Sequence, residues 1–286
     1  LNSQNLLNFL KKGILYMTIS ALAFTLLNVF VKSLEGFSVY QIVFFRAAGS
    51  LFFTIPFLLK SKIPMLGKKR KLLVMRSIYG LISMLFFFLA LKHTAMGAAV
   101  SIRYIAPIFA AIFALFYLKE NIKKVQWVYF GIAFLGVFII KGADTQFQMG
   151  GTTYALISAI FAGLVYVTIR KIGAAEHPVV IVNYFMVISS VACGLIALTD
   201  WVHPVGREWL VLMSLGVFGY FAQLYMTKGF QQCETNKIAP FKYLEVIFTT
   251  SIGILYFKED YGVFIILGMA IILIALSLNL KVKTQN

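Results

Sequence analysis

The sequence is poor in charge, and the charge that it carries is mostly of one sign. Only 13% of the 286 residues are charged, and 10 Asp and Glu stand against 26 Lys and Arg. A soluble domain of this length needs far more charge on its surface. With 60% hydrophobic residues and 28 Phe, the sequence therefore excludes a soluble globular protein and predicts one embedded in a lipid bilayer.

Cysteine and histidine are scarce as well, with two and three residues. Cys193 lies inside an apolar run and Cys233 at the edge of one, so we expect no disulfide framework. His93, His177 and His203 lie apart, in short connections or at the ends of apolar runs, and lack the spacing of metal ligands. We therefore expect no metal and no other cofactor. No set of Ser, His and Asp indicates an enzyme.

The basic residues lie in short gaps between apolar runs instead of forming a stripe, which argues against nucleic acid as a partner. Continuous apolar runs of about 20 residues are typical of membrane-spanning helices, whereas a transmembrane barrel needs alternation. The predicted fold class is therefore an all-α polytopic membrane protein with ten transmembrane helices. The spans are residues 13–31, 38–59, 73–91, 97–118, 125–141, 152–169, 178–199, 209–228, 236–257 and 261–280.

Orientation follows from the distribution of Lys and Arg, which concentrate in cytoplasmic connections. Most of them fall in alternate connections, so both termini are predicted to be cytoplasmic. No small-residue cleavage site follows Lys11 and Lys12, and the first run is interpreted as a retained helix. We expect a multi-pass, monomeric protein of the cytoplasmic (inner) membrane.

The two halves of the chain resemble each other when one is shifted by 138 or 139 positions. This predicts two five-helix repeats, residues 1–144 and 145–286. Because five is odd, the second repeat must enter the membrane from the opposite side, as in many secondary transporters. The matching features are ISA at 19–21 and 157–159, Lys32 and Arg170, Gly80 and Gly219, Lys119-Glu120 and Lys258-Glu259, and SIRYIAPIF at 101–109 and PFKYLEVIF at 240–248.

At this point the chain resembles the ten-helix EamA-type branch of the drug/metabolite transporter superfamily. The resemblance covers nearly the whole chain and depends on the repeat together with FFRAAGS at 44–50, APIFAAIFALFYLKE at 106–120 and IFTTSIGILYFKE at 247–259. It implies that a small metabolite crosses through a central cavity between the halves. Substrates vary widely within the family, so the resemblance does not identify the substrate.

Basic residues within the predicted spans are the main candidates for a site, because a charge near the bilayer centre costs about 2.5–3.5 kcal/mol or more. Arg103 and Lys242 occupy the same helix of the two repeats, under opposite membrane faces, and are predicted to attract an anion from either side. The alternative for Arg103 and Lys242 is that their side chains reach the interface, and this interpretation is favoured for Arg76 and Lys237. Arg46 is a further candidate, with a structural role, bonded to backbone carbonyls or to a neighbouring helix, as its alternative.

Glu245 is the one acidic residue placed well inside a predicted span. It lies one helical turn after Lys242 and is expected to pair with it. The alternatives are that it couples transport to protons or holds a substrate amine. The first span lacks the carboxylate with which small multidrug exporters bind cations. The balance of five basic residues against one acid in the spans favours a negatively charged substrate.

Other polar residues complete the predicted site. Pro107 and Pro240 are expected to break spans four and nine locally. The candidates that line the path, each with ordinary packing as the alternative, are Asn28, Tyr79, Tyr104, Tyr166, Gln223 and Tyr243.

The predicted function is that of a secondary transporter for a small polar metabolite, anionic or an amino acid, working by alternating access. The small-molecule substrate and the lipid bilayer are its partners, and coupling to protons or to a counter-substrate stays open. A proton-coupled drug exporter and a non-transporting membrane scaffold are the alternatives.

Overall fold

The computed structural model describes residues 3–117, 123–143, 150–232 and 244–281. These residues form helices joined by short connections, and no strand occurs among them. The helices are α1 (Ser3–Ser33), α2 (Val39–Lys60), α3 (Arg70–His93), α4 (Met96–Arg103), α5 (Ala106–Tyr117), α6 (Lys124–Ala143), α7 (Gly150–Ile172), α8 (Pro178–Ala197), α9 (Arg207–Gln232), α10 (Leu244–Leu255) and α11 (Val263–Lys281).

Seven segments of the described chain are long and apolar enough to cross a membrane, and α4 and α5 together make one of them. Helix α10 and the apolar parts of α6 and α11, Lys124–Ile140 and Val263–Ala275, are shorter. Large apolar side chains such as Phe52, Phe116 and Leu255 point outward, as expected where a protein faces lipid. The prediction of an all-helical, multi-pass membrane protein is confirmed. The count of ten spans stays a prediction, and part of the ninth lies outside the described residues.

The fourth predicted span is broken within the sequence RYIAP. Helix α4 ends at Arg103 and α5 begins at Ala106, with Tyr104 and Ile105 in a turn between them. Pro107 has no backbone N–H for the carbonyl of Arg103, so the helix cannot continue regularly through this point. The predicted break before Pro107 is confirmed. It leaves Arg103 at the C-terminal end of α4, where the helix dipole favours a cation. Pro240 lies outside the described residues.

Helices of the first half pack mainly on helices of the second half, and the contacts form matching pairs. Helix α1 packs on α9, and α3 packs on α7. Likewise α2 packs on α9, and α3 on α8. In the predicted repeat, α1, α2 and α3 correspond to α7, α8 and α9. Exchange of the two halves therefore converts the contact of α1 with α9 into that of α7 with α3, and the contact of α2 with α9 into that of α8 with α3. Helices α2 and α8, and α6 and α11, are counterparts that contact each other.

Two hydrogen bonds follow the same exchange of halves. The hydroxyl of Ser20 donates to the carbonyl of Ala222 at 2.9 Å, and that of Ser158 donates to the carbonyl of Ser83 at 2.8 Å. Ser20 and Ser158 belong to the two ISA matches, and Ser83 and Ala222 are 139 residues apart. Both bonds are buried and join helices of different halves, α1 to α9 and α7 to α3.

Candidate functional site

A cavity lies where helices of the two halves meet. Residues of α1, α2, α3 and α4 line it from the first half, and residues of α7, α8 and α9 line it from the second. Only about 30 Å³ is open to the centres of water-sized molecules. One water needs roughly 10–15 Å³ on this measure, so the cavity holds about two waters. A metabolite would require the helices to move apart. The polar lining residues are Asn28, Arg46, Arg76, Ser83, Arg103, Tyr166 and Gln223.

Arg46 enters the cavity from α2, and its partners among the described residues are weak ones. Its side chain is 2% exposed, and its Nη1 atom donates to the thioether sulfur of Met84. The guanidinium carbon lies 5.7 Å and 6.0 Å from the ring centres of Phe88 and Phe185, near the limit of a cation–π contact. The Nε atom is buried without a hydrogen-bond partner among the described residues. Arg46 is therefore buried, and the described part of the chain provides no anionic partner for it.

Arg76 is the most important residue that the sequence interpretation assigned wrongly. The expectation was a side chain that reaches the membrane interface, but Arg76 is 1% exposed and lines the cavity. Its Nη2 atom donates to Oε1 of Gln223 at 3.0 Å, and its guanidinium stacks 4.4 Å from the ring centre of Phe185. Its Nε and Nη1 atoms have no partner among the described residues.

The sequence contains the signal that places Arg76 in the cavity. Arg76, Gly80, Ser83 and Phe87 are spaced by three or four residues, and all four line the cavity. This spacing places them on one face of α3. Gly80 leaves room beside Phe185, because an added Cβ would lie 3.0 Å from that ring.

Arg103, another predicted site residue, enters the cavity from the end of α4. Its guanidinium lies 4.1 Å from the ring centre of Phe87, and its Nε atom is buried without a described partner. Three arginines from three helices therefore line one small cavity. Among the described lining residues there is no Asp or Glu.

Glu245 lies beside this cavity, 2% exposed, in the first turn of α10. Its Oε1 atom accepts a hydrogen bond from Nδ2 of Asn28 at 3.0 Å, and Oε2 accepts one from the hydroxyl of Tyr104. Asn28 lines the cavity, and its Oδ1 atom is buried without a described partner. The carboxylate therefore joins α1, α10 and the turn after α4. Lys242, with which Glu245 is expected to pair, lies outside the described residues, and so does Tyr243.

The remaining predicted residues separate into two groups. Gln223 and Tyr166 line the cavity. Tyr79 does not: it faces a separate, largely apolar groove with Tyr117 and Lys171. It follows Arg76 by three residues but is turned about 100° around the helix from Gly80, toward α7. Tyr79 is therefore not among the residues that line the central cavity in this structure, and its contact with substrate stays a prediction.

A second polar cluster lies where the end of α1 meets the start of α4. The carboxylate of Glu259 accepts from Lys32 at the end of α1, from the hydroxyl of Tyr261, and from the backbone N–H of Met96 at 3.1 Å. The hydroxyl of Tyr261 in turn accepts from the N–H of Gly97 at 3.1 Å. Lys32 and Glu259 are 15% and 7% exposed in their side chains. This cluster, called here the Lys32–Glu259 clasp, ties α1, α4 and the α10–α11 connection together.

His177 is an ionisable group in the connection before α8, outside the spans, and its pKa is shifted. Partial burial, and then the charge of Lys228, lower the pKa of His177 below its usual value. The Nδ1 atom of His177 accepts from the N–H of Val179 at 3.3 Å and so caps the start of α8. No cluster of His, Cys, Asp and Glu suited to a metal ion occurs in the described part of the chain.

Comparison with known proteins gives a family match over nearly the whole chain. The model of the EamA-like transporter family matches twice, at residues 11–142 and 149–281. The pseudopaline exporter CntI of Pseudomonas aeruginosa is 25% identical over 272 residues, covering 94% of this chain and 96% of its own. Solute carrier family 35 member G1 of Homo sapiens is 28% identical, covering 86% and 73%.

Two further matches, one in sequence and one in structure, also cover most of the chain. The S-adenosylmethionine uptake transporter of Rickettsia felis is 24% identical, covering 77% of this chain and 75% of its own. A crystal structure matches with a TM-score of 0.71 at 16% identity, covering 94% of this chain and 95% of that chain. This structural likeness shows the fold.

Proposed function

The chain belongs to the EamA-like transporter family, and from this premise we propose that it is a secondary transporter working by alternating access. It moves a small polar metabolite, an anion or an amino acid, across the cytoplasmic membrane through the cavity between its halves. The observation that carries this proposal is the set of three arginines from three helices that line one contracted cavity, Arg46 and Arg76 fully buried and Arg103 partly buried. Buried charges in a membrane protein mark substrate pathways.

Two related halves of opposite orientation provide the motion. The family match occurs once in each half, and helix contacts and the Ser20 and Ser158 hydrogen bonds recur when the halves are exchanged. These observations support two inverted five-helix repeats, ten spans in total, with a boundary near residue 145. Two such halves can exchange conformations, which opens the cavity to one side or the other. The Lys32–Glu259 clasp holds one end closed in this conformation, the outer end in the predicted orientation.

Relatives named for export of pseudopaline and for uptake of S-adenosylmethionine show that neither direction nor substrate transfers to this chain. A drug exporter for lipophilic cations is disfavoured, because three cations line this cavity and no described carboxylate does.

Reconstitution into proteoliposomes tests the proposal. The metabolites to be assayed are first selected by a screen for those that raise the melting temperature of the purified protein. The expected result is saturable uptake of at least one of them. A protein that moves no solute from a broad panel of anions and amino acids would refute transport and favour a scaffold.

A further inference from the structure

The three arginines offer more hydrogen-bond donors than the protein uses. Arg46 Nε, Arg76 Nε, Arg76 Nη1 and Arg103 Nε are buried without partners among the described residues. Buried donors are almost always paired, and leaving one unpaired costs about 1–3 kcal/mol, or more for a charged group. Four such atoms around one cavity indicate an acceptor-rich ligand.

The existing partners are of a kind that a ligand can replace. Two aromatic rings lie 4.4 Å or less from Arg76 and Arg103, and a thioether accepts from Arg46. Among the described residues, an oxygen partner is found only for Arg76, the amide of Gln223. Structural arginines in a membrane interior are normally paired with carboxylates or backbone carbonyls. These contacts hold the guanidinium groups in place without neutralising them.

Asn28 differs from the arginines, because it presents an unpaired acceptor to the cavity instead of unpaired donors. Its Nδ2 atom is committed to Glu245, while its Oδ1 atom is a buried acceptor without a described partner. This side of the cavity therefore lacks a donor, such as a hydroxyl or an ammonium group on the ligand.

The net charge of the residues around the cavity indicates the charge of that ligand. The described side chains of acidic or basic residues in and beside the cavity are Arg46, Arg76, Arg103 and Glu245, which carry three positive charges and one negative charge. A ligand with two negative charges balances them. Guanidinium groups bind carboxylates and phosphates through paired hydrogen bonds, and three of them can hold two such groups or the several oxygens of one phosphate.

We infer that the cavity binds a small dianion, a dicarboxylate or a phosphate monoester, that also presents a hydroxyl or ammonium donor to Asn28. The inference rests on the proposed transport function and narrows its substrate class. Arg76, an assumed interfacial residue in the sequence interpretation, becomes a central binding residue.

The test compares ligands that differ in one feature each. Malate, succinate, lactate and glycerol 3-phosphate are assayed by thermal shift on the purified protein and by uptake into proteoliposomes. Malate should bind at least about tenfold more tightly than the monoanion lactate, since one charged hydrogen-bonded contact accounts for roughly a factor of ten or more. Malate should also exceed succinate, which lacks the hydroxyl. The order of malate and glycerol 3-phosphate distinguishes a carboxylate site from a phosphate site.

Matched variants assign the effect to residues. Arg76→Gln should weaken malate binding by about tenfold or more and narrow the preference for malate over lactate. Arg70→Gln, an exposed arginine of the same helix six residues earlier, should leave both unchanged. Asn28→Ala should remove the difference between malate and succinate. A merely structural role of Arg76 would lower stability without changing these ratios.

Two results would overturn the inference in different ways. If lactate, a neutral solute or a cation binds or moves as well as the dianions do, the valence argument fails while transport stands. If Arg76→Gln keeps full preference for dianions, the assignment of Arg76 fails. Absence of any flux would instead refute the transport function itself.

Discussion

Substitution of Arg46 best distinguishes an arginine that binds substrate from one that stabilises the fold. Substitution by Met removes the charge and keeps an unbranched chain of similar length. The chain shape matters, because Gly219 packs against Arg46: an added Cβ on that glycine would lie 2.9 Å from Cγ of Arg46. We expect Arg46→Met to abolish transport and, at the same time, to stabilise the ligand-free protein.

The magnitude follows from what Arg46 contacts. Burying an ion costs several kcal/mol even after relaxation, and replacement of buried ionic groups by apolar ones of similar volume often stabilises by about 1–4 kcal/mol. The favourable interactions that Arg46→Met removes are weak. They comprise a bond to the sulfur of Met84 and two cation–π contacts at 5.7 Å and 6.0 Å, near the limit at which such contacts count. Removing one of three neighbouring positive charges also relieves repulsion.

The assay is thermal unfolding of the purified protein without ligand, combined with uptake in proteoliposomes. Each kcal/mol corresponds to roughly 2–4 °C in domains of 150–250 residues, so a rise of several degrees is expected. Arg70→Met is the control, since Arg70 is exposed at the start of α3 and surface changes are usually within about 0.5 kcal/mol. A lower melting temperature for Arg46→Met, or unimpaired transport, would refute the reasoning.

Three further outcomes are expected. Glu259→Gln should open the Lys32–Glu259 clasp, because loss of one partner of a buried ion pair costs about 3–5 kcal/mol. Spin labels at the ends of α1 and α10 should then move apart. An unchanged distance between the labels would contradict the role of the clasp. Glu245→Gln should abolish any response of flux to an imposed pH gradient while exchange at equal pH persists; a wild-type protein insensitive to the gradient would exclude proton coupling through Glu245. The lowered pKa of His177 means that the unfolded chain takes up the proton first as pH falls through about 6.5, so stability should decline from pH 7 to pH 5.5. His177→Asn keeps a capping acceptor and should reduce that decline, and an identical decline would refute the assignment.

Local patterns in the sequence were sufficient for features that depend on one helix at a time. Hydropathy predicted the helices, and Pro107 predicted the break that places Arg103 at the end of α4. Arg46 and Arg103 were candidates because a charge in an apolar run is visible without knowing its neighbours. Depth from the end of a run was a poor guide to Arg76, however, because α3 begins at Arg70 and carries Arg76 into the bundle.

Contacts between distant segments could not be predicted in this way. The bond from Asn28 to Glu245 joins residues 217 positions apart, and the stacking of Arg76 on Phe185 joins α3 to α8. Both depend on how helices of different halves are rotated against each other. Tyr79 illustrates the same limit, since a rotation of about 100° along α3 separates it from the cavity face.

If the proposed anion site is correct, the weak contacts of the arginines have a role in transport. If carboxylates of the protein neutralised Arg46, Arg76 and Arg103, a substrate anion would have to displace them and lose most of its binding energy. Aromatic rings and a thioether hold the guanidinium planes in position yet compete poorly with an anion. The empty cavity is then the electrostatically unfavourable state, and an anion that enters it relieves both the unpaired donors and the repulsion between like charges. A carrier built in this way has low stability where it is empty, which is why the same arginines are expected to control binding and to limit the stability of the free protein.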